Sequence, residues 1–470
     1  MKYLGKASGF GQRFEPPSPS PYLKFLAPLT GDYQRSPVTL AGIRDDIKKN
    51  ISTNARRPAT PLFDEAIRRT FRAFQLPDRI PMLHLNDVFQ KDLPIWSSSA
   101  GLPWMNLGYK NKGEIRKDPD AIQRVRWFWH RVKAGESIRL PDCCAYVRAH
   151  IVKTGETKVR AVWGYPATVT FGEAVFALPL INAYKSGRYP IAYGYETGLG
   201  GCKKVLHEFK GKNFLGIDFK NFDKTLPDWL IEIAFDVLAY NIDFSKYEEH
   251  GTARVEAMLR MFSILKNYCI KTKIRMCNGE RYQKRWGLAS GSYFTQLVGS
   301  ICNYLLLTYA CLKYSVHINK ILVFGDDSLI GTDALLTPDD IAMALEPLGM
   351  TVNVSKSGHS AYLGRLTFLG YSINDGVPTR GRDKTMASLV WPERHDKDWI
   401  FAASRAHGIA FANMGVDLLV DYWCRRICSY LPYKLQLSRD QQRHLEILGF
   451  SSIPDKIPNC YEFMRRLGFC

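Results

Sequence analysis

The residues of this 470-residue chain best suited to chemistry are the adjacent carboxylates of Gly325-Asp326-Asp327. Residues 321–324 before them form an apolar run of strand length, and Ser328-Leu329-Ile330 reads as the returning strand, so both acids sit at the tip of a stiff hairpin. Gly-Asp is also ordinary turn chemistry. The chemical reading is that two like charges this close need a divalent cation to stay ionised together. Another carboxylate, Asp218, ends the apolar run 214–217, and Asp223 follows it ahead of a helix starting near Pro227. Taken alone, Asp223 also fits a turn or helix-entry acid.

Residues that could meet an anionic substrate recur along the chain. After a turn at Thr154-Gly155-Glu156, Lys158 and Arg160 alternate with Val159 and Ala161, so both cations leave one strand face. Such a pair is either a solvated surface or a grip on adjacent phosphates. Lys271, Lys273 and Arg275 alternate with Ile270, Thr272, Ile274 and Met276 in a hairpin that turns at Asn278-Gly279 and returns through Arg281, Lys284 and Arg285. That positive face is expected to touch a nucleic-acid backbone. Ser99 and Gly101 lie in the small-residue stretch 96–104, which is a surface loop or a backbone cradle for a phosphodiester strand. A second Gly/Ser loop carries Ser290 into a helix on which Thr295, Gly299 and Asn303 share one face and Leu297, Ile301 and Leu305 another. The apolar face is expected to anchor this helix and the polar face to look into a site.

Composition narrows the class. Lys and Arg number 64 against 45 Asp and Glu, a net charge of +19, which points to a polyanionic partner, most often nucleic acid. With 46% apolar and 23% charged residues the chain is globular rather than disordered. Its 11 cysteines include no Cys-x-x-Cys pair and suit buried thiols in a reducing compartment. The first residues lack the apolar run of a signal peptide, so cytosolic synthesis is expected. Residues 286–312 carry no charge, but Ser290, Ser292, Thr295, Gln296 and Ser300 are too polar for lipid; a buried helix entered by a loop is expected, with no membrane contact. Helices are expected over 61–74, 120–134 and 339–348 and through the last ninety residues, an extended piece over 352–357 with Lys356, and a strand over 366–373. The Pro-rich run 15–22 must be extended along a surface.

In this order the elements resemble the palm motifs of viral RNA-dependent RNA polymerases: Asp218-x4-Asp223, Ser290-Gly291-x3-Thr295 ahead of a helix, Gly325-Asp326-Asp327, Lys356, then Phe368-Leu369-Gly370-Tyr371. Lys158-Val-Arg160 resembles the basic motif that holds incoming nucleotide, and Ser98-Ser-Ala-Gly-Leu-Pro103 the motif where template enters. The wording Val-Arg-Ala-Val-Trp-Gly-Tyr-Pro and Gly-Asp-Asp-Ser is most similar to partitiviruses and their double-stranded RNA relatives. The position nine residues after Ser290, where the picornavirus-like pattern has a sugar-sensing Asn, is Gly299 here; Asn303, or Asp223 with Thr295, is left to take that duty.

The resemblance implies an α+β right-hand polymerase whose antiparallel palm sheet is flanked by helices. It implies an N-terminal extension and fingertips over 1–90, fingers over 91–207 and 250–285, palm over 208–249 and 286–378, and a helical thumb over 379–470. Asp218, Asp326 and Asp327 would hold Mg²⁺, with Mn²⁺ as substitute; Lys158 and Arg160 would grip the triphosphate; Asp223, Ser290, Thr295 and Asn303 would bond the ribose; Lys356 would protonate pyrophosphate. Implied partners are an RNA template and product duplex, NTPs and a viral capsid protein, in the host cytoplasm within the virion. Two competing readings are a reverse transcriptase, whose hairpin usually reads Tyr-x-Asp-Asp, and a basic RNA-packaging protein with an inert palm.

Overall fold

The computed structural model describes residues 1–12, 14–51 and 54–469 and is a mixture of helices and several sheets. A four-stranded antiparallel sheet carries the acidic residues. Its spatial order is Ile318–Phe324, Asp327–Thr332, Asn213–Gly216, Gly358–Ser360. The apolar runs read from the sequence are its two central strands and one edge strand, and Leu215, Leu322, Val323, Leu329 and Ile330 are buried. Helix Phe294–Lys313 packs against this sheet with Leu297, Ile301 and Leu305 in the core, as its periodicity predicts.

A five-stranded sheet carries the cations. From edge to edge it runs Lys2–Lys6, Glu280–Gln283, Lys273–Arg275, Cys143–Ala149, Val159–Gly164. Strand Val159–Gly164 pairs with Cys143–Ala149, setting Arg148 opposite Arg160, while Ile151–Lys153 leaves the turn to pair with Tyr33–Arg35. The turn at residues 154–156 is therefore part of a wider loop, because Ile151 and Val152 are buried against a second partner strand. The stretch 352–357 is a turn rather than extended, and 366–373 is split into two-residue strands, Thr367–Phe368 and Tyr371–Ser372, around Leu369-Gly370.

The expected helices are present as Pro61–Phe74, Pro119–Ala134 and Pro338–Leu345 with the 3-10 turn Glu346–Leu348, each α-helix opening on a proline in its first turn. The last ninety residues are helical, with a core of their own around Ala402, Phe411 and Cys424. Helices Ala167–Ser186 and Phe294–Lys313 are long and apolar enough to cross a membrane, and 83% and 72% of their most apolar windows are buried within the protein. The ten described cysteines are free thiols; Cys470 lies outside the described residues.

The Pro-rich N-terminal run links distant parts of the chain. Strand Lys2–Lys6 edges the five-stranded sheet, whereas Ser20 donates its N–H to Val390 and its hydroxyl to Asp396. Arg35 then bonds the carbonyls of Trp391 and Ala149 together.

The ribbon around Asn278-Gly279 keeps the predicted alternation, with Thr272, Ile274 and Met276 buried, but it is less positive than its composition. Arg275 and Arg281 both bind Asp142, and Lys284 is fully buried, donating to the carbonyls of Cys269, Ile270 and Gly287. Removing a buried acid strands both guanidinium groups, whereas an exposed pair such as Arg57–Asp64 is worth little. Asp142→Asn is expected to lower the thermal unfolding midpoint by roughly 5 °C and Asp64→Asn by less than about 1 °C, measured by circular dichroism.

Candidate active site

Strand pairing brings the separated acids together. Phe324 pairs with Asp327 across the hairpin, and Leu329 pairs with Gly216 on the next strand. Two residues further in that register, Asp218 falls across from Asp327, and between them the Ser328 hydroxyl donates to the Ile217 carbonyl at 3.4 Å. Directly opposed residues on antiparallel strands have Cα atoms about 4.5–5.5 Å apart. At the turn, Gly325 has φ +65°, and a Cβ there would lie 3.2 Å from the Gln296 amide nitrogen. The turn is fixed from below: the Ser300 hydroxyl accepts the Gly325 N–H at 2.9 Å, and the Asn303 amide donates to the carbonyls of Gly325 at 2.9 Å and Asp327 at 3.4 Å.

Asp326 and Asp327 are open to water at the hairpin tip yet walled by protein. Burial in that cleft, with Asp218 alongside, pushes the Asp326 carboxyl up, and burial with Asp326 and Asp218 pushes Asp327 up to about 7. Half-buried Asp223, on the short helix Phe222–Thr225, is likewise pushed up to about 7 by burial and by Asp326. Asp218 is held by the Asn353 amide, which donates to its Oδ2 at 2.8 Å, while Ser357 Oγ accepts its backbone N–H at 2.9 Å. Among the described residues no three acidic, histidine or cysteine side chains converge into a ready-made metal cage.

Cations ring these acids. Arg160 is close enough to favour the ionised forms of both Asp223 and Asp326. Lys158 feels Arg160, Lys356 and Lys384 as like charges and Asp218 as an opposite one; burial first and then those cations hold its ammonium below the ordinary lysine range. Lys356 sits in the turn that begins at Asn353, whose N–H donates to the Asp218 carbonyl. The predicted Lys158, Arg160, Lys356, Asp218, Asp223, Asp326 and Asp327 thus meet at one cleft. Lys384, on helix Arg382–Val390, joins them without a motif to mark it.

The viral RNA-dependent RNA polymerase family profile matches residues 14–411. The chain belongs to that family. It is 26% identical over 388 residues to the RNA-directed RNA polymerase of Cryptosporidium parvum virus 1, covering 77% of this chain and 69% of that protein. It is 27% identical over 359 residues to the enzyme of Atkinsonella hypoxylon virus, covering 66% and 54%, and 24% identical over 294 residues to that of White clover cryptic virus 1, covering 56% and 47%. The aligned part is thus about half the length of the latter two relatives.

Other predicted residues of this chain are placed differently from their sequence reading. Asn303 is fully buried, and its amide is committed to the Asp326–Asp327 turn, so it supports the hairpin and has no face toward a ribose. Ser290 lies in the loop before Phe294–Lys313, its carbonyl accepting the Trp163 N–H at 3.2 Å, and the Thr295 hydroxyl donates to the Ala289 carbonyl at 2.7 Å. Ser99 is half-exposed, with its hydroxyl bonded to that of Tyr146 at 2.6 Å. Gly101 is buried against Tyr165 and Pro166, where it shapes the loop and offers no backbone to an RNA strand. Lys271 caps the helix Val255–Ile270 rather than joining a strand; Lys273 stays on the ribbon half-exposed, and Arg275 is taken by Asp142.

Two buried charges behind the loops carried no sequence signal. Lys112 donates to the carbonyls of Ser99 at 2.7 Å and Tyr165 at 3.1 Å. Glu173, inside helix Ala167–Ser186, accepts from the Ser292 hydroxyl at 2.7 Å and the Tyr293 N–H at 2.9 Å. Complete burial pushes the Glu173 carboxyl up to about 8. Its neutral form is the better folded form, so its stabilisation is fully present below 4.5, the ordinary glutamate value, and is lost progressively as pH rises to about 8. The thermal midpoint is expected to fall between about pH 5 and pH 8 and to level off above that, and Glu173→Gln, which mimics the neutral acid, is expected to flatten that fall in a calorimetric pH series.

Proposed function

We propose that this chain copies RNA templates into RNA, joining NTPs by nucleotidyl transfer to replicate and transcribe a viral genome. The carrying observation is the meeting of Asp218, from one strand end, with Asp326 and Asp327, from a hairpin more than a hundred residues later, inside a ring of lysines and arginines. In this reading the chain is a right hand, with N-terminal extension and fingertips over 1–90, fingers over 91–207 and 250–285, palm over 208–249 and 286–378, and thumb over 379–470. The two sheets and the separate C-terminal core support that division.

The donor set fits Mg²⁺, which binds one or two carboxylates and fills its octahedron with water and substrate phosphate oxygens, so no protein cage is required. Two such ions would lower the pKa of the RNA 3′-hydroxyl and neutralise charge on the departing pyrophosphate. Asp218 and Asp326, with Asp327 supporting, would supply the oxygens that hold them. Lys158 and Arg160 bind the triphosphate and set its α-phosphorus in line with the 3′-oxygen. As the 3′-oxygen gives up its proton to solvent water and bonds the α-phosphorus, the bond from that phosphorus to the bridging oxygen of the β-phosphate breaks, and Lys356 donates a proton to the leaving pyrophosphate. Asp223 accepts from the ribose hydroxyls. The Thr295 hydroxyl, its proton committed to Ala289, offers only an acceptor to a 2′-OH, with Ser290 beside it. The polyanionic partners are template and product RNA; a capsid protein partner and residence within a cytoplasmic virion, away from membranes, complete the proposal.

Asp326→Asn in the purified chain is expected to reduce Mg²⁺-dependent NMP incorporation on an RNA template by at least about 100-fold. Residual activity near wild type sinks the metal-ligand role. Asp223→Ala is expected to weaken the preference for NTP over dNTP in competition assays, and an unchanged ratio removes its sugar role.

A further inference from the structure

We infer that Asp46 is a positioning residue for the nucleotide site, one carboxylate that fixes the triphosphate-binding strand and the ribose-binding helix relative to each other. The inference rests on the reading that Arg160 and Asp223 face an incoming nucleotide.

Strand Val159–Gly164 is an edge of its sheet, so its outward N–H groups have no strand partner. One of them, that of Ala161, and the N–H of Lys158 just before the strand are taken by the N-terminal segment, while that of Trp163 goes to the Ser290 carbonyl. Ser36 Oγ accepts the Lys158 N–H at 2.8 Å, and Asp46 Oδ2 accepts the Ala161 N–H at 2.8 Å, so the two bonds bracket both cations, Lys158 and Arg160. The other oxygen of Asp46 binds the ammonium of Lys224, the residue directly after Asp223. Asp46 itself is 3% exposed and lies on helix Leu40–Lys48, whose Ile43 and Ile47 are buried in the main core. Gly42 of the same helix rests against Val159. The carboxylate therefore cannot swing to solvent without unpacking its helix, and it couples residues 115 and 178 positions away in sequence. Arg160 and Asp223 are themselves close enough to interact, so their separation is the quantity that Asp46 sets.

Asp46 does not touch the reacting atoms, and its loss is expected to appear in binding geometry rather than in chemistry. In steady-state incorporation on an RNA template, Asp46→Asn is expected to raise KM for NTP about 10-fold while kcat falls less than about 3-fold, and to cut the NTP-over-dNTP specificity ratio about 10-fold. Asp46→Glu, which keeps the charge, is expected to recover part of both. A folded Asp46→Asn with unchanged KM and ratio, or with kcat lost and KM unchanged, overturns the inference. Should Asp46→Asn not melt cooperatively, Lys224→Gln carries the test: it leaves the Ala161 bond in place, so the specificity ratio is expected to fall with little change in KM, and an unchanged ratio overturns the coupling. Wild-type protein that makes no RNA overturns the polymerase reading itself, an outcome distinct from either of these.

Discussion

Mutual repulsion among the acids of the cleft is the constraint on which the structure depends. Asp218, Asp326 and Asp327 are held together by backbone pairing, since each sits at or just beyond a strand end whose register is fixed by buried residues on both sides. A one-residue slip would turn Leu215, Leu329 and Ile330 out of the core, so the sheet cannot relieve the repulsion by sliding. Elsewhere in the molecule buried acids have direct partners: Asp46 with Lys224, Asp142 with two arginines, Asp396 with Arg405. Asp223, Asp326 and Asp327 have no such partner among the described residues, and burial, followed by the charge of neighbouring acids, pushes their carboxyl groups upward. A site with this imbalance is poised to take up positive charge together with a polyanion that the surrounding lysines and arginines can hold.

Much of this was legible in the sequence because the acids fall at changes of periodicity. Asp218 follows an apolar run, and Asp326 interrupts one with a glycine that only a tight turn explains. The helix after Ser290 showed its buried face through Leu297, Ile301 and Leu305. The signals that failed were those in which a polar side chain had two plausible destinations. Asn303 shares a helix face with Thr295, and periodicity alone could not say that the last of that face passes under the hairpin rather than into the cleft. Arg275, Arg281 and Lys284 alternate as a solvent-facing strand should, yet Asp142 and three carbonyls claim them. Asn353, Glu173, Lys112 and Asp46 stand alone among unrelated neighbours, and only tertiary contact gives each its partner.

The same distinction explains how the N-terminal segment behaves. Its prolines said only that it is extended; its route comes from hydrogen bonds to residues hundreds of positions away. It adds a strand to the cation-bearing sheet, bonds the C-terminal helices through Ser20 and Arg35, and closes on the edge strand through Ser36 and Asp46. An edge strand with cationic side chains and free N–H groups would otherwise be the least constrained part of that sheet. Covering it with two acceptors lowers its freedom where a triphosphate must be met in one geometry.

This arrangement divides the work between the two sheets. The acid-bearing sheet is rigid by virtue of its own core: four strands and a long buried helix surround Asp218 and the hairpin, Asn353 bonds Asp218, and Ser300 and Asn303 bond the backbone of the turn. The cation-bearing strand is placed on its inner side by pairing with Cys143–Ala149 and on its outer edge by contacts from residues 36 and 46. Both groups are thus placed by strand pairing and the cations by long-range docking as well, so the distance between the two groups depends in part on where the first fifty residues meet the rest of the chain. Changes to that docking reach the cleft through Arg160 without altering any residue that faces it.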